Sequence, residues 1–394
     1  MRSLRILVTE ILQVLLIAPL MLVISLLRRC LFLLLRRNKN YVFLGFGPVP
    51  IGLNHAIAAR AVGLRAESYS THVYSLGGAI DVRVFSSSRT LNFLSRFFYL
   101  PFIVAIFRYS HLVFYFDGGP FGHGSIFSWR LESIMLRLAG VKSIVTAYGS
   151  DVHSTRIMNN LALKNGYNLD YPKQWRRNSK IESRIEYWCK NADFVIAGCD
   201  WVDYLPYWDH LVPSHFTIDI GSHVVHHRVG ESVTLRVLHA PNHKNLKGTD
   251  VIERAVSTLR EEGFNIELTL LTGVTHTQIL SEFAFHDLVI DQLIIGWYGQ
   301  FSIEALANGV PTVCFIADEY KSLYSVALAS ENFQLPFIEA NVLTLENVLR
   351  DCCLKKFDLK KISRDGRVFV EKYHSLQSIG DMFRLAIKTI DNQS

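Results

Sequence analysis

The sequence predicts an α/β protein of two doubly wound, Rossmann-like domains facing a cleft, with an N-terminal membrane-anchoring helix ahead of them. Three observations predict it. From Tyr41 onward, short apolar runs alternate with helical patterns, the signature of parallel sheets wrapped by helices. Those runs form two series separated by a polar, glycine-bounded segment, residues 220–233, which reads as a hinge. Residues 11–27 carry no charge at all. The boundaries that follow are 1–40 for the anchor, 41–220 and 221–375 for the two domains, and 376–394 for a closing helix.

The anchor comes first in the chain. At about 1.5 Å per residue, residues 11–27 reach roughly 26 Å, slightly under the ~30 Å hydrocarbon core of a bilayer. Arg28, Arg29, Arg36, Arg37 and Lys39 follow, so the positive-inside rule places everything after residue 40 in the cytosol, at an inner or cytoplasmic membrane. No small-residue cleavage site follows the run, which excludes a cleaved leader. Pro19 and the short length leave two dispositions open: a span, or an interfacial helix lying flat with its arginines snorkelling.

Composition agrees. The chain of 394 residues is long enough for two domains, each with its own core. Apolar residues make up 49% of it, which excludes disorder and points to membrane contact. Much of the net charge of +6 sits beside the anchor, a placement for anionic headgroups and not for a nucleic-acid groove. The six cysteines have no metal-type spacing and read as reduced thiols.

The first domain's clearest strands are YVFLGF (41–46), HLVFYF (111–116), SIVTAY (143–148) and DFVIAG (193–198); the second's are LRVLHA (235–240), IELTLLT (266–272), DLVIDQL (287–293) and PTVCFI (311–316). Helical patterns over 359–373 and 376–390 close the chain. FFYLPFIVAIF (97–107) is too short to span and reads as a buried or interfacial helix. YPKQWRRNSKIESR (171–184) mixes aromatic and basic residues and reads as a lid or a surface loop. HVVHH (223–227) has no matching carboxylate or thiol and reads as solvated loop, not a metal site.

In doubly wound sheets ligands bind beyond the carboxyl ends of strands, and the motifs there carry the chemistry. After DLVIDQL come Gly296, Trp297, Tyr298 and Gly299, then a helix. Glycines let backbone amides approach a ligand, and a helix N-terminus favours anions, so a sugar diphosphate fits. Glu304, a turn further along, is placed to accept two hydroxyl hydrogen bonds from a ribose. Lys247 and Gly248 stand at another strand-to-helix turn, where an ammonium neutralises charge on a leaving diphosphate. In AYGSDVHS, Gly149 makes a tight turn, and Ser150 or Asp151 either caps it or meets a ligand. Gly47 lies in a glycine-rich loop (45–52) after the first strand. Asp117 and His123 in DGGPFGHGS (117–125) are possible acceptor contacts.

GSDV (149–152), LHAPNHKNLKG (238–248) and DQLIIGWYGQFSIEALANGVP (291–311) resemble the bacterial retaining glycosyltransferases of the GT-B fold, the glycosyltransferase group 1 type. The resemblance covers residues 41–390. It implies that the first domain binds the acceptor and the second a nucleotide-sugar donor, with Lys247 on the donor phosphates and Glu304 on the ribose. The family's second acid, eight positions before Glu304, is here Gly296, so sugar recognition rests on amides of 296–299. The family's arginine before the lysine is missing, and His243 or Lys244 stands in. The implied reaction is hexosyl transfer with retention, using no metal or cofactor, onto a lipid-linked or surface-glycan acceptor. The absent acid and arginine also motivate the opposite reading, a membrane-tethered scaffold with a degenerate GT-B fold.

Overall fold

Runs rich in Val, Ile, Leu and Phe that are buried on both faces give the strands at the centre of each sheet. His111–Tyr115, Phe194–Gly198 and Leu288–Gln292 are buried at every position, as strands covered by helices on both sides must be. In the computed structural model of the chain, residues 2–35, 41–44, 51–70, 80–84, 88–122, 125–225, 232–329 and 332–393 are described. Gly47 and His123 lie outside the described residues.

The first sheet holds β1 (Tyr41–Leu44), β2 (Ala66–Ser70), β3 (Val82–Arg83), β4 (His111–Tyr115), β5 (Lys142–Thr146), β6 (Phe194–Gly198) and β7 (His210–Val212) in the order β3-β2-β1-β4-β5-β6-β7. The second holds β8 (Leu235–His239), β9 (Ile266–Leu270), β10 (Leu288–Gln292), β11 (Thr312–Cys314) and β12 (Ile338–Glu339) in the order β12-β11-β10-β8-β9. All pairings are parallel. The winding direction reverses beside β1 in one sheet and beside β8 in the other, so each sheet has a crevice where successive loops diverge.

The chain crosses between the sheets after β7 and returns at His374. The two crossings touch: Ile218 bridges Ser375, and the Thr217 hydroxyl donates to the His374 carbonyl at 2.9 Å. His374 Nδ1 donates to Phe216 O at 2.9 Å and Nε2 accepts from the Tyr298 hydroxyl at 3.1 Å. Burial pushes its pKa down to about 4, so it stays neutral and holds this geometry at any physiological pH.

Past that point Ser375 caps the helix Leu376–Asn392, accepting from Ser378 N. That helix lies on the first sheet, not the second. Ile379, Met382, Phe383, Ile387 and Ile390 pack with Ala56, Ala58, Ala59, Val113 and Ile144, each large side chain contributing about 1.5–3 kcal/mol on burial. Gly380 faces the Ala58 carbonyl so closely that any side chain there would collide.

At the other end, the helices Arg2–Leu12 and Ala18–Leu35 are joined by a π-helical segment, Gln13–Ile17. Pro19 lacks an N–H and clashes with the preceding turn of a regular helix, and a π-bulge just ahead of it absorbs that mismatch. Of the segments left open by sequence, 97–107 becomes the helix Leu100–Arg108, with Phe102, Ala105 and Ile106 wholly buried. Residues 171–184 are neither lid nor loop: the segment is helical from Gln174, and the helix Asn178–Asn191 buries Ile181 and Arg184. The correction has a physical reason, since Ile181, Ile185 and Trp188 give the apolar i, i+4, i+7 stripe of a packed helix.

Candidate functional site

Residues of the second sheet's crevice assemble around the end of β10. Asp291 is fully buried and its carboxylate collects three donors: Lys247 Nζ at 2.5 Å, the Ser302 hydroxyl at 2.6 Å and the Gly299 amide at 3.0 Å. Burial alone would raise its pKa, but the Lys247 charge and the hydrogen bonds outweigh it and hold the group below its ordinary value. Gln292 shapes the next loop. Its Oε1 accepts from Ile294 N and Ile295 N, and its Nε2 donates to the carbonyls of Trp297 and Phe315. The pair Asp-Gln therefore builds the turn that carries residues 293–299.

That turn ends at Gly299, the N-cap of the helix Gln300–Ala307, whose first turn has no side-chain cap. Gly296 adopts φ +98° with its surroundings packed against Ala317 and Tyr320, a backbone shape that favours glycine. The aromatic pair between the glycines belongs to the core. Trp297 donates from its indole to Pro213 O at 2.9 Å, and Tyr298 to His374; both are almost wholly buried. Their side chains join the second lobe to the crossing segments, and what they can offer a ligand is backbone.

Glu304 sits on the second turn of this helix, buried, with Oε1 accepting from His276 Nε2 at 3.0 Å and Gln300 Nε2 at 2.9 Å. Among the described residues, Oε2 takes no bond. His276 opens the helix His276–Glu282 that follows β9, and the hydrogen bond to Glu304 raises its pKa. Loops after three neighbouring strands, β10, β8 and β9, thus bring Glu304, Lys247 and His276 to one edge of the sheet.

Lys247 ends the short helix Lys244–Lys247, and Gly248 turns the chain at φ +78° into the helix Thr249–Glu261. Beneath them His239 is buried, donating from Nδ1 to Ile290 O at 2.8 Å and accepting from Thr249 at 3.0 Å; burial lowers its pKa to about 4. Lys244 is exposed. His243 bonds the Tyr171 hydroxyl at 2.6 Å, and burial lowers its pKa. A neutral imidazole cannot replace an arginine's charge, so of the two stand-ins only Lys244 carries one.

The first lobe reaches this site directly. Asp170, at the end of the helix Leu161–Asp170, accepts from Leu246 N at 3.1 Å and Asn245 Nδ2 at 2.6 Å, and Asn160 donates to Ile294 O at 2.7 Å. Gly166 lets that helix approach Asn245 and Leu246. Asp151, in contrast, turns inward. It accepts from Phe116 N, Tyr148 N and Gly149 N, the capping role that its position in the turn allowed; burial, with Asp117 nearby, pushes its pKa up to about 8. Gly119 and Gly122 are likewise accounted for by a buried acid: Glu132 accepts from the amides of Gly119, Phe121 and Gly122, and neither glycine has room for a side chain. Asp117 accepts from the Tyr148 hydroxyl at 3.2 Å.

Asp291, Gln292, His276 and Asp170 went unassigned in the sequence. A strand ending in Asp-Gln after three buried aliphatics was the available signal, because charge and amide at that depth need partners. His276 and Asp170 gave no such signal.

No family model and no curated protein matches the chain. Solved structures do. The chain is similar to sucrose-phosphate synthase from Thermosynechococcus elongatus, with 12% identity and TM-score 0.59 over 91% of this chain and 100% of that one. It is similar to HepE of Anabaena, solved in complex with UDP, with 13% identity and TM-score 0.54 over 89% of this chain and 100% of that one. An alpha-glucosyltransferase solved with UDP and a 13-mer DNA shares 10% identity and TM-score 0.52 over 89% and 99% of the two chains. These likenesses show the fold: the chain has the GT-B architecture, two Rossmann-like lobes across a cleft.

Proposed function

We propose that the chain is a membrane-associated glycosyltransferase that moves a hexosyl group from a nucleotide sugar to a lipid-linked or surface-glycan acceptor, with retention of configuration. One observation carries the reading: Lys247, the uncapped N-terminus of the helix Gln300–Ala307 and Glu304 stand together at the carboxyl edge of the second sheet of a GT-B fold. Lys247 and the helix amides supply the positive field that a departing diphosphate needs. Glu304 Oε2 accepts from ribose hydroxyls while His276 and Gln300 fix the other oxygen. Gly248 and the 296–299 backbone admit the donor closely, and Lys244 lies beside the phosphates. The charge comes from these groups, so the reading assigns no step to a metal or cofactor. The first lobe, with Asp117 and Tyr148 at the ends of β4 and β5, faces the acceptor. Neighbours of the same fold were solved with UDP, which makes uridine nucleotides the first donors to try.

A non-catalytic scaffold is the second reading, favoured by the fact that Lys247 and the Gly299 amide already hold Asp291. One experiment separates the two. Full-length chain is screened by thermal shift with nucleoside diphosphates and nucleotide sugars, then assayed for donor consumption. Binding raises the melting temperature in proportion to the logarithm of ligand excess. Binding with turnover that Glu304→Ala removes supports the transferase; binding without turnover, or no binding by any donor, sinks it and favours the scaffold.

A further inference from the structure

The N-terminal helix carries two opposite faces, and they bear differently on whether it crosses a membrane. One face is clamped to the first lobe. The Glu10 carboxylate accepts from the amides of Ile126, Phe127 and Ser128 at 2.7, 2.8 and 2.7 Å, capping the N-terminus of the helical stretch that runs on to Ala139. Arg28, eighteen residues later, donates to the carbonyls of Ile106, Tyr109 and Ala139 at 2.7, 2.9 and 2.6 Å, capping the C-termini of that stretch and of the helix Leu100–Arg108. Between them, Gln13 bonds the carbonyls of Arg96 and Phe97, and Ala18, Met21 and Ser25 are buried. Both charges match the helix dipoles they meet.

The other face is a stripe of Val8, Leu12, Leu16, Leu20, Val23, Leu27 and Leu31, each 42–64% exposed. Alongside lies the helix Arg89–Phe97, whose Leu91, Phe93 and Leu94 are exposed, followed by exposed Phe98 and Leu100. Exposed Arg29 and Arg96 flank this surface.

A span needs about 20 residues surrounded by hydrocarbon. Residues 10–28, roughly 27 Å of helix, are instead held against the lobe along their length. In a span Glu10 and Arg28 would face lipid and these six partners would lose them, a costly exchange. We propose that this helix does not cross. It lies in the plane of an anionic leaflet, with the stripe and the 91–100 face in the acyl boundary and Arg29 and Arg96 on headgroup phosphates. The stripe presents no donor or acceptor over some 35 Å, whereas a protein interface carries about one hydrogen bond per 100–200 Å². This rests on the membrane association proposed above, and it puts the N-terminus on the same side as the cleft.

The test uses full-length chain with an N-terminal epitope. Synthesised cell-free with inverted membrane vesicles and treated with external protease, the chain is expected to lose its epitope; a protected epitope-bearing fragment would show crossing and overturn the proposal alone. In flotation with vesicles containing about a third anionic lipid, the chain is expected to float, and Leu20→Glu with Leu27→Glu to reduce flotation about tenfold or more without changing its melting temperature. A chain that does not float, or that dimerises through the stripe instead, overturns the membrane reading and this proposal together.

Discussion

Each lobe buries an aspartate beside the carboxyl end of its sheet, one near a second acid, Asp117, and the other against a cation, Lys247. Asp151 in the first lobe rests on three backbone amides and no ammonium; burial carries its pKa to about 8. Asp291 in the second lobe has one amide, one hydroxyl and Lys247, and is held below the ordinary carboxylate value. Amides alone shape a turn, whereas the added lysine creates a charged site whose donors a phosphate could share.

The largest effect should come from removing that cation. Lys247→Met leaves a buried carboxylate unpaired and is expected to cost about 3–5 kcal/mol, read by urea unfolding. The double variant Lys247→Met with Asp291→Asn should recover most of that stability and none of the donor turnover. A single variant as stable as the parent would break the comparison between the two aspartates. Next, Glu304→Ala should weaken nucleotide binding by about 1.5–3 kcal/mol, the worth of hydrogen bonds to a charged group, with little change in melting temperature; titration calorimetry with UDP checks it.

Asp151→Asn sharpens the contrast more gently. The parent's raised pKa gives stability that is fully present below pH 3.8 and lost as pH rises toward about 8. The variant lacks that slope and loses one amide partner, about 1 kcal/mol, so its deficit should be larger at pH 5 than at pH 9. The smallest effect concerns His276, whose side chain is mostly exposed. Its pKa is raised by Glu304, so the pair's contribution is complete below pH 6.5 and fades as pH climbs through the raised value. His276→Gln should flatten that dependence in nucleotide-binding titrations, and an unchanged profile would remove His276 from the site.

Strands β1, β4–β6 and β8–β11 were legible from their apolar runs, which in β4, β6 and β10 reflect burial at every position, while the edge strand β9 carries such a run though only partly buried. β2, β3, β7 and β12 were not: Ala66–Ser70 is half polar, and the others are two or three residues long, so their pairing comes from neighbours and not from pattern. In the site, Lys247 and Glu304 were legible from their turns after strands. The partners that hold them, Asp291 and His276, are brought in by sheet order, which periodicity does not encode. Trp297 and Tyr298 misdirect in the opposite sense, since glycine-flanked aromatics look like a ligand platform and serve instead as the joint to Pro213 and His374.

The return of the helix Leu376–Asn392 to the first sheet has a consequence for synthesis. Ribosomes deliver the first lobe's strands early but the helix that covers them only after the second lobe. Until then Ala56, Val113 and Ile144 have no lid, and nascent chains depend on keeping that face from sticking to others. The second lobe, continuous in sequence, can mature beforehand, so the order of translation and the order of completion run in opposite directions.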